Sequence, residues 1–301
     1  MSFMTYLNAV TYLNTFINYE TDRRREAMRQ IRLSRMRQLC RALGDPQRRF
    51  RSIVVTGTNA KGSVCAMLYA ILRESELRVG VYTSPHLEHL RERIRVWAGG
   101  APSPERAHGD DWITEDEFAA VMTRLQPALD EVGRSAEGPP TYFEILTATA
   151  FVYFDTRQVD VAILEVGLGG QYDATNVVDQ AVSVIGPVAV DHAAVLGDDP
   201  AAIAHEKAGI IKPRQIAITA PQQPDVAQVV RGACEAQGVP LLTCGVDLTA
   251  QIIDHSLEGL TVSVTGLRGL YEALTIPLIG RHQAQNAAVA IGALEALSGA
   301  G

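Results

Sequence analysis

The chain has 301 residues, enough to bury a large core as one large domain or two smaller ones. Hydrophobic residues make up 47% and charged residues 20%, the balance of a soluble globular protein. A formal net charge of −7 argues against a general nucleic-acid binder, and no apolar run is long enough to span a bilayer.

In chain order, Tyr6, Val10, Leu13 and Ile17 fall on one stripe and predict an amphipathic N-terminal helix packed on the main body. A basic run follows, Arg23-Arg24-Arg25 with Arg29, Arg32, Arg35 and Arg37, whose ordinary reading is a solvated helix face. From Ile53 onward strands and helices alternate. Strands are predicted at Ile53 to Thr56, Val79 to Thr83, Val159 to Val166, Ala181 to Ile185, Gln215 to Thr219 and Val239 to Leu242. Helices are predicted between them at Val64 to Glu74, Glu115 to Val132, Tyr142 to Phe154, Ala201 to Ile210 and Asp225 to Gln237. This α/β alternation predicts a doubly wound, mostly parallel sheet. Gly99 to Trp112 and Arg134 to Thr141 read as surface loops. Residues 251 to 279 switch to short β-like runs, predicting a small antiparallel edge, and a last helix runs from His282 to about Leu297. The four cysteines, Cys40, Cys65, Cys234 and Cys244, are widely spaced without a Cys-x-x-Cys pair. With no cleavable apolar leader, they suggest reduced thiols and a cytoplasmic protein.

The segment Val54-Val55-Thr56-Gly57-Thr58-Asn59-Ala60-Lys61-Gly62-Ser63 joins a predicted strand to a helix N-terminus. There, backbone N–H groups and the helix dipole favour phosphate, Lys61 can reach the outer phosphates and the Ser63 hydroxyl suits magnesium. It departs from the general P-loop pattern, because Val55 stands at the first glycine and the hydroxyl comes two places after the lysine. The plainer reading of these residues alone is a glycine-rich turn with an exposed lysine. Glu165 ends an apolar strand, where open α/β sheets bind ligands, and a carboxylate there suits a hard cation. By composition alone His192 reads as a loop histidine, Lys207 as a surface charge, Phe143 as core and Asn286 as a helix cap.

Further segments follow in order: Tyr82-Thr-Ser-Pro-His-Leu87, Glu92-Arg-Ile94, Phe143-Glu144, Leu164-Glu-Val-Gly-Leu-Gly-Gly170, Asp173-Ala-Thr-Asn176, Asp191-His192, Glu206-Lys-Ala-Gly-Ile-Ile-Lys212 and His282-Gln-Ala-Gln-Asn286. With Leu33-Ser-Arg-Met36, Leu43-Gly44 and Pro46 before them, they resemble the folylpolyglutamate synthase / dihydrofolate synthase family of the Mur ligase superfamily. The resemblance runs from about Tyr12 to the end of the chain. It implies a P-loop ATPase domain of the Mur ligase central type over 51–301, preceded by an N-terminal helical segment over 1–50. It also implies a monomer that adds L-glutamate to a folate or to dihydropteroate, with ATP, through an acyl phosphate.

By the same resemblance, Gly57, Thr58, Asn59, Ala60, Lys61, Gly62, Ser63 and Asn286 would bind ATP. Ser63, Glu165, His192 and a carbamylated Lys207 would hold two magnesium ions. Lys61, Lys207 and His192 would serve catalysis, and Ser84, Pro85, His86, Phe143 and Asp173 would bind the pterin substrate. Ala60 replaces the family's usual glycine, at a cost only if its φ is positive. Family members carry a further C-terminal domain that the resemblance does not extend to, so the expectation is an ATPase region without it. The rival readings are a non-catalytic ATP- or pterin-binding module and a superfamily ligase acting on a cell-wall precursor.

Overall fold

The computed structural model describes residues 4–20, 32–99, 109–189 and 199–299. The chain divides into two compact units whose segments interleave along the sequence. The first comprises Met1–Arg51, Leu72–Leu168 and Tyr172–Asp179, and the second Ser52–Ile71, Gly169–Gln171 and Gln180–Gly301. The expected site residue His192 with its motif neighbour Asp191, and the basic residues Arg23 to Arg25 and Arg29, lie outside the described residues.

In the first unit, α1 (Tyr6–Leu13) starts at Thr5, whose side chain accepts from the Asn8 N–H, and buries Ala9 and Leu13. It packs on α4 (Glu115–Gly133), with the Tyr6 ring edge-on to Phe118 at 5.6 Å. The helix stops before Ile17, which is exposed, so the expected apolar stripe is shorter than its spacing suggested. Helix α2 (Leu33–Ala42) packs against α4 and α5 (Tyr142–Thr156). Both α4 and α5 open with capping boxes, Thr114 with Glu117 and Thr141 with Glu144, which satisfy otherwise orphaned N–H groups. Arg35 of α2 pairs with Glu144 at 2.8 Å inside the protein.

The strands of this unit are β2 (Val79–Tyr82), β3 (Ile94–Trp97) and β4 (Val161–Glu165). β2 lies in the middle, parallel to β4 with Tyr82 opposite Leu164, and antiparallel to β3 with Tyr82 opposite Ile94. β3 is absent from the expected strands, because four residues containing Arg95 carry too little period-2 signal.

The second unit holds a parallel set in the order β1 (Arg51–Thr56), β5 (Val182–Ile185), β6 (Ile216–Thr219) and β7 (Leu241–Thr243). Thr56 lies opposite Ile185, Ile185 opposite Thr219, and Thr219 opposite Thr243. β5 is buried along its length, as parallel strands covered on both faces must be. Helices α3 (Lys61–Leu72), α6 (Pro200–Ala208), α7 (Pro224–Gln237) and α8 (Gln283–Gly299) complete the unit. Ile185, Ile203, Ala204, Val226, Val230 and Cys234 make one apolar cluster between strands and helices.

Residues 249–276 form the expected antiparallel structure as a three-stranded sheet of its own. Its order is β10 (Leu270–Ile276), β9 (Gly259–Thr265), β8 (Thr249–Ser256). Leu260, Val262 and Val264 alternate inward on β9, and α8 packs against β8 and β9. Glu295 of α8 fixes the β9–β10 turn by accepting the Leu267 and Arg268 N–H groups and the Tyr271 hydroxyl.

Candidate functional site

In the second unit the loop from Gly57 to Ala60 links β1 to α3. Gly57 has φ +155°, and a Cβ there would meet the Asn59 carbonyl oxygen at 2.8 Å and Gly186 Cα at 3.0 Å. Only glycine fits that approach. Ala60 also has a positive φ, +70°, and its carbonyl accepts the Val64 N–H at 2.9 Å, so it sits at the mouth of α3. The helix begins at Lys61, three residues before the expected start, and its first turn therefore belongs to the loop.

Two ammonium groups converge on this loop. Lys61 Nζ donates to the Gly57 carbonyl at 3.0 Å, and Lys207 Nζ, from the last turn of α6, donates to the same oxygen at 3.0 Å. Lys207 is 5% exposed, so it is no surface charge. At the start of α8, Asn286 donates from Nδ2 to Gln283 Oε1 at 2.8 Å, and Gln283 Nε2 lies 3.5 Å from Ser63 Oγ. Asn286 is buried within the first turn and does not cap the helix, whereas Gln283 is a link that motif reading passed over. Its i, i+3 spacing from Asn286 was the available signal.

In the first unit Glu165 closes β4. It is 5% exposed, and its Oε2 accepts the Ser84 N–H at 3.1 Å. The Ser84–Pro85 bond is cis. Beyond it, His86 Nδ1 accepts from Arg93 Nε at 2.8 Å, while both terminal nitrogens of Arg93 reach the Glu20 carboxylate at 2.7 Å. Burial first, and then the Arg93 charge, hold the His86 pKa below its ordinary value. Glu92 accepts the N–H groups of Leu87, Glu88 and His89. Although desolvation opposes it, these three bonds bring the Glu92 carboxyl down to about 2.

Phe143, on the first turn of α5, lies 5.8 Å from the Tyr82 ring, and a Cβ on Gly167 would strike it at 2.6 Å. The aromatic and the glycine turn are matched surfaces. Asp173 is buried and accepts four hydrogen bonds. Oδ2 takes the Gly167 and Leu168 N–H groups at 3.0 and 3.1 Å, and Oδ1 takes the Thr175 N–H and hydroxyl at 2.9 and 2.6 Å. Burial raises its pKa and the four donors oppose the rise. Both oxygens are thus engaged in shaping the chain at 167–168 and 173–175.

The Mur ligase middle domain family matches residues 112–294. The chain is 38% identical over 268 residues to the dihydrofolate synthase/folylpolyglutamate synthase of Bacillus subtilis, covering 88% of this chain and 59% of that protein. A folylpolyglutamate synthase (FPGS) solved with AMPPCP and folate has a TM-score of 0.84 at 34% identity, over 99% of this chain and 68% of the other. The Mycobacterium tuberculosis folylpolyglutamate synthase complexed with ADP gives 0.84 at 32% identity, over 98% and 62%. The chain belongs to the folylpolyglutamate synthase branch of the Mur ligase family.

It spans about three fifths of the length of the B. subtilis relative. For this folylpolyglutamate synthase family chain, the expected loop residues Gly57 to Ser63, Lys207 and Asn286 fall in one unit, joined through the Gly57 carbonyl and Gln283. Ser84, Pro85, His86, Phe143, Glu165 and Asp173 fall in the other. Among the described residues no group of three or more His, Cys, Asp or Glu side chains gathers as a metal site. Nor, among those residues, is any helix long and apolar enough to cross a membrane.

Proposed function

We propose that this chain is the nucleotide-binding region of an ATP-dependent ligase that adds L-glutamate to a pterin carboxylate, either dihydropteroate or a folate γ-carboxyl. The observation that carries the reading is the loop at 57–63, where two lysines meet one carbonyl at a helix N-terminus, in a chain similar to an FPGS solved with AMPPCP and folate. On this reading residues 1–50 are a helical segment ahead of a P-loop domain over 51–301, and the protein works as a cytoplasmic monomer.

The roles follow from charge and position. Lys61 leaves the Gly57 carbonyl to neutralise the outer phosphates of ATP, while the backbone N–H groups at the start of α3 receive phosphate oxygens. Asn286, oriented by Gln283, serves the adenine. Phe143, Ser84, Pro85 and His86 receive the pterin substrate, and Asp173 contributes by holding the turn at Gly167 and Leu168. A substrate carboxylate oxygen takes the γ-phosphoryl group and ADP departs, giving an acyl phosphate. The glutamate amine then attacks its carbonyl carbon, loses a proton, and phosphate leaves as the amide forms.

By the chemistry of their donor atoms, the Ser63 hydroxyl and the Glu165 carboxylate would hold a first magnesium ion, and Glu165, the His192 imidazole and a carbamylated Lys207 a second. Bound magnesium supplies neutralisation of phosphate charge during transfer. As an ammonium, Lys207 repels a cation, and it fits as a ligand only with its Nζ carbamylated by carbon dioxide. A carbamate carbon signal at Lys207 under labelled bicarbonate tests that step.

ADP release by the chain with ATP, magnesium and dihydropteroate or tetrahydrofolate, with and without glutamate, tests the whole. Release that depends on glutamate and falls at least 100-fold in Lys61→Ala is expected. Nucleotide binding without glutamate-dependent release would favour a binding module.

A further inference from the structure

The backbone after β5 is bonded on both sides, and on one of them by a side chain. The β5–β6 ladder ends with the Ala220 N–H donating to the Ile185 carbonyl at 2.9 Å. One step further Gln222 takes over. Its Oε1 accepts the Val188 N–H at 3.0 Å, and its Nε2 donates to the Gly186 carbonyl at 2.8 Å and to Thr219 Oγ1 at 3.1 Å. A side-chain amide carries the donor and acceptor of a peptide group, so Gln222 extends the ladder as another strand would.

The opposite side belongs to the phosphate loop. The Gly186 N–H donates to the Thr56 carbonyl at 2.7 Å, and the Thr58 N–H donates to the Pro187 carbonyl at 2.9 Å. Thr58 Oγ1 donates to the Ala189 carbonyl at 2.9 Å and accepts the Ala189 N–H at 3.1 Å. Pro187 has no N–H to satisfy. Residues 186–189 therefore form a rail between the loop and Gln222. There is no slack in it, since a Cβ on Gly186 would lie 2.9 Å from the Asn59 carbonyl oxygen.

We propose that Gln222 is a positioning residue for the phosphate loop, acting through the backbone of residues 186–188. The inference rests on the reading of that loop as the nucleotide site. Gln222 reaches the loop through Gly186 and Val188, and it fixes where the Gly57 and Asn59 peptides stand when phosphate arrives. An alanine at 222 removes both bonds to the rail. A glutamate of the same shape keeps an acceptor for Val188 but sets a carboxylate against the Gly186 carbonyl.

The test uses the full chain as wild type, Gln222→Ala, Gln222→Glu and the neighbouring control Gln223→Ala, whose side chain caps nothing at the start of α7. Amide hydrogen exchange is read at Thr58 and Val188 without ligand, and ADP is titrated with magnesium. In both Gln222 variants exchange at Thr58 should quicken about tenfold and ADP should bind about tenfold more weakly, with the control unchanged. Should the alanine variant fail to fold, the isosteric glutamate variant carries the test. Unaltered Thr58 exchange in the Gln222 variants overturns the inference, whatever the wild type binds, and so does quickened exchange with unaltered ADP affinity. A wild type that binds no ADP while Thr58 exchange still responds would sink the nucleotide reading and leave the positioning role standing.

Discussion

Ala60 holds a left-handed backbone at the mouth of the phosphate loop, where an L-residue costs about 1–2 kcal/mol relative to its relaxed state. Glycine would relieve the Cβ clash while losing more chain entropy on folding, so Ala60→Gly should gain about 0.5 kcal/mol and tighten nucleotide binding. Thermal melting and ADP titration check this, and an unchanged or lowered midpoint counts against strain at Ala60. Arg93 is a second residue with a sharp expectation. Its side chain is 2% exposed and serves both Glu20 and His86, so Arg93→Ala leaves a half-buried carboxylate unpaired and should cost about 3 kcal/mol in urea unfolding. Arg93 stood in the Glu92-Arg-Ile94 motif, but nothing in the sequence named Glu20 as its partner, because their pairing is long-range. Lys207 shows the opposite limit. Composition alone made it a surface charge and the family resemblance made it an expected site residue, but neither told of its burial against the Gly57 carbonyl.

At the scale of elements, the segment Leu87 to His89 is held by one carboxylate with three N–H donors. The folded Glu92 pKa of about 2 lies below the ordinary value of 4.5, so the folded state binds fewer protons there than the unfolded state. The stabilisation is therefore present above about 4.5 and is lost as pH falls towards about 2. The protection of the Leu87 amide relative to its intrinsic exchange rate should hold at neutral pH, fall across that acid window, and be absent at all pH values in Glu92→Gln; retained protection in that variant would show that the carboxylate is not the anchor. Elements with a long run of one period were legible beforehand. α4, α5 and α7 were expected within a few residues, because each carries an apolar stripe or a capping box. β3 was not, and the sheet of β8 to β10 was expected only as an edge, since period-2 runs say that a strand exists and not which strands it joins.

For the molecule as a whole, the interleaving of the two units along the chain has a practical result. The second unit borrows Ser52–Ile71 from far upstream of Gln180, so residues 180–301 lack β1 and the loop that follows it. Without β1, β5 keeps β6 but loses the other of its two parallel partners, and one backbone edge of a fully buried strand is presented to solvent. The isolated piece 180–301 should show no cooperative thermal transition by circular dichroism and should aggregate, whereas the full chain melts cooperatively. A cooperative melt of the piece would mean that β1 is dispensable.

The shared carbonyl of Gly57 also bears on how binding measurements read out. With Lys61 and Lys207 already hydrogen-bonded to it, the loop is its own competitor, and an arriving polyanion trades one oxygen partner for another instead of drawing a cation out of bulk water. Calorimetry would then register a modest heat for a contact that looks strong on paper. Ranking loop variants by affinity alone would confuse a lysine that grips its ligand poorly with one that lets go of Gly57 reluctantly.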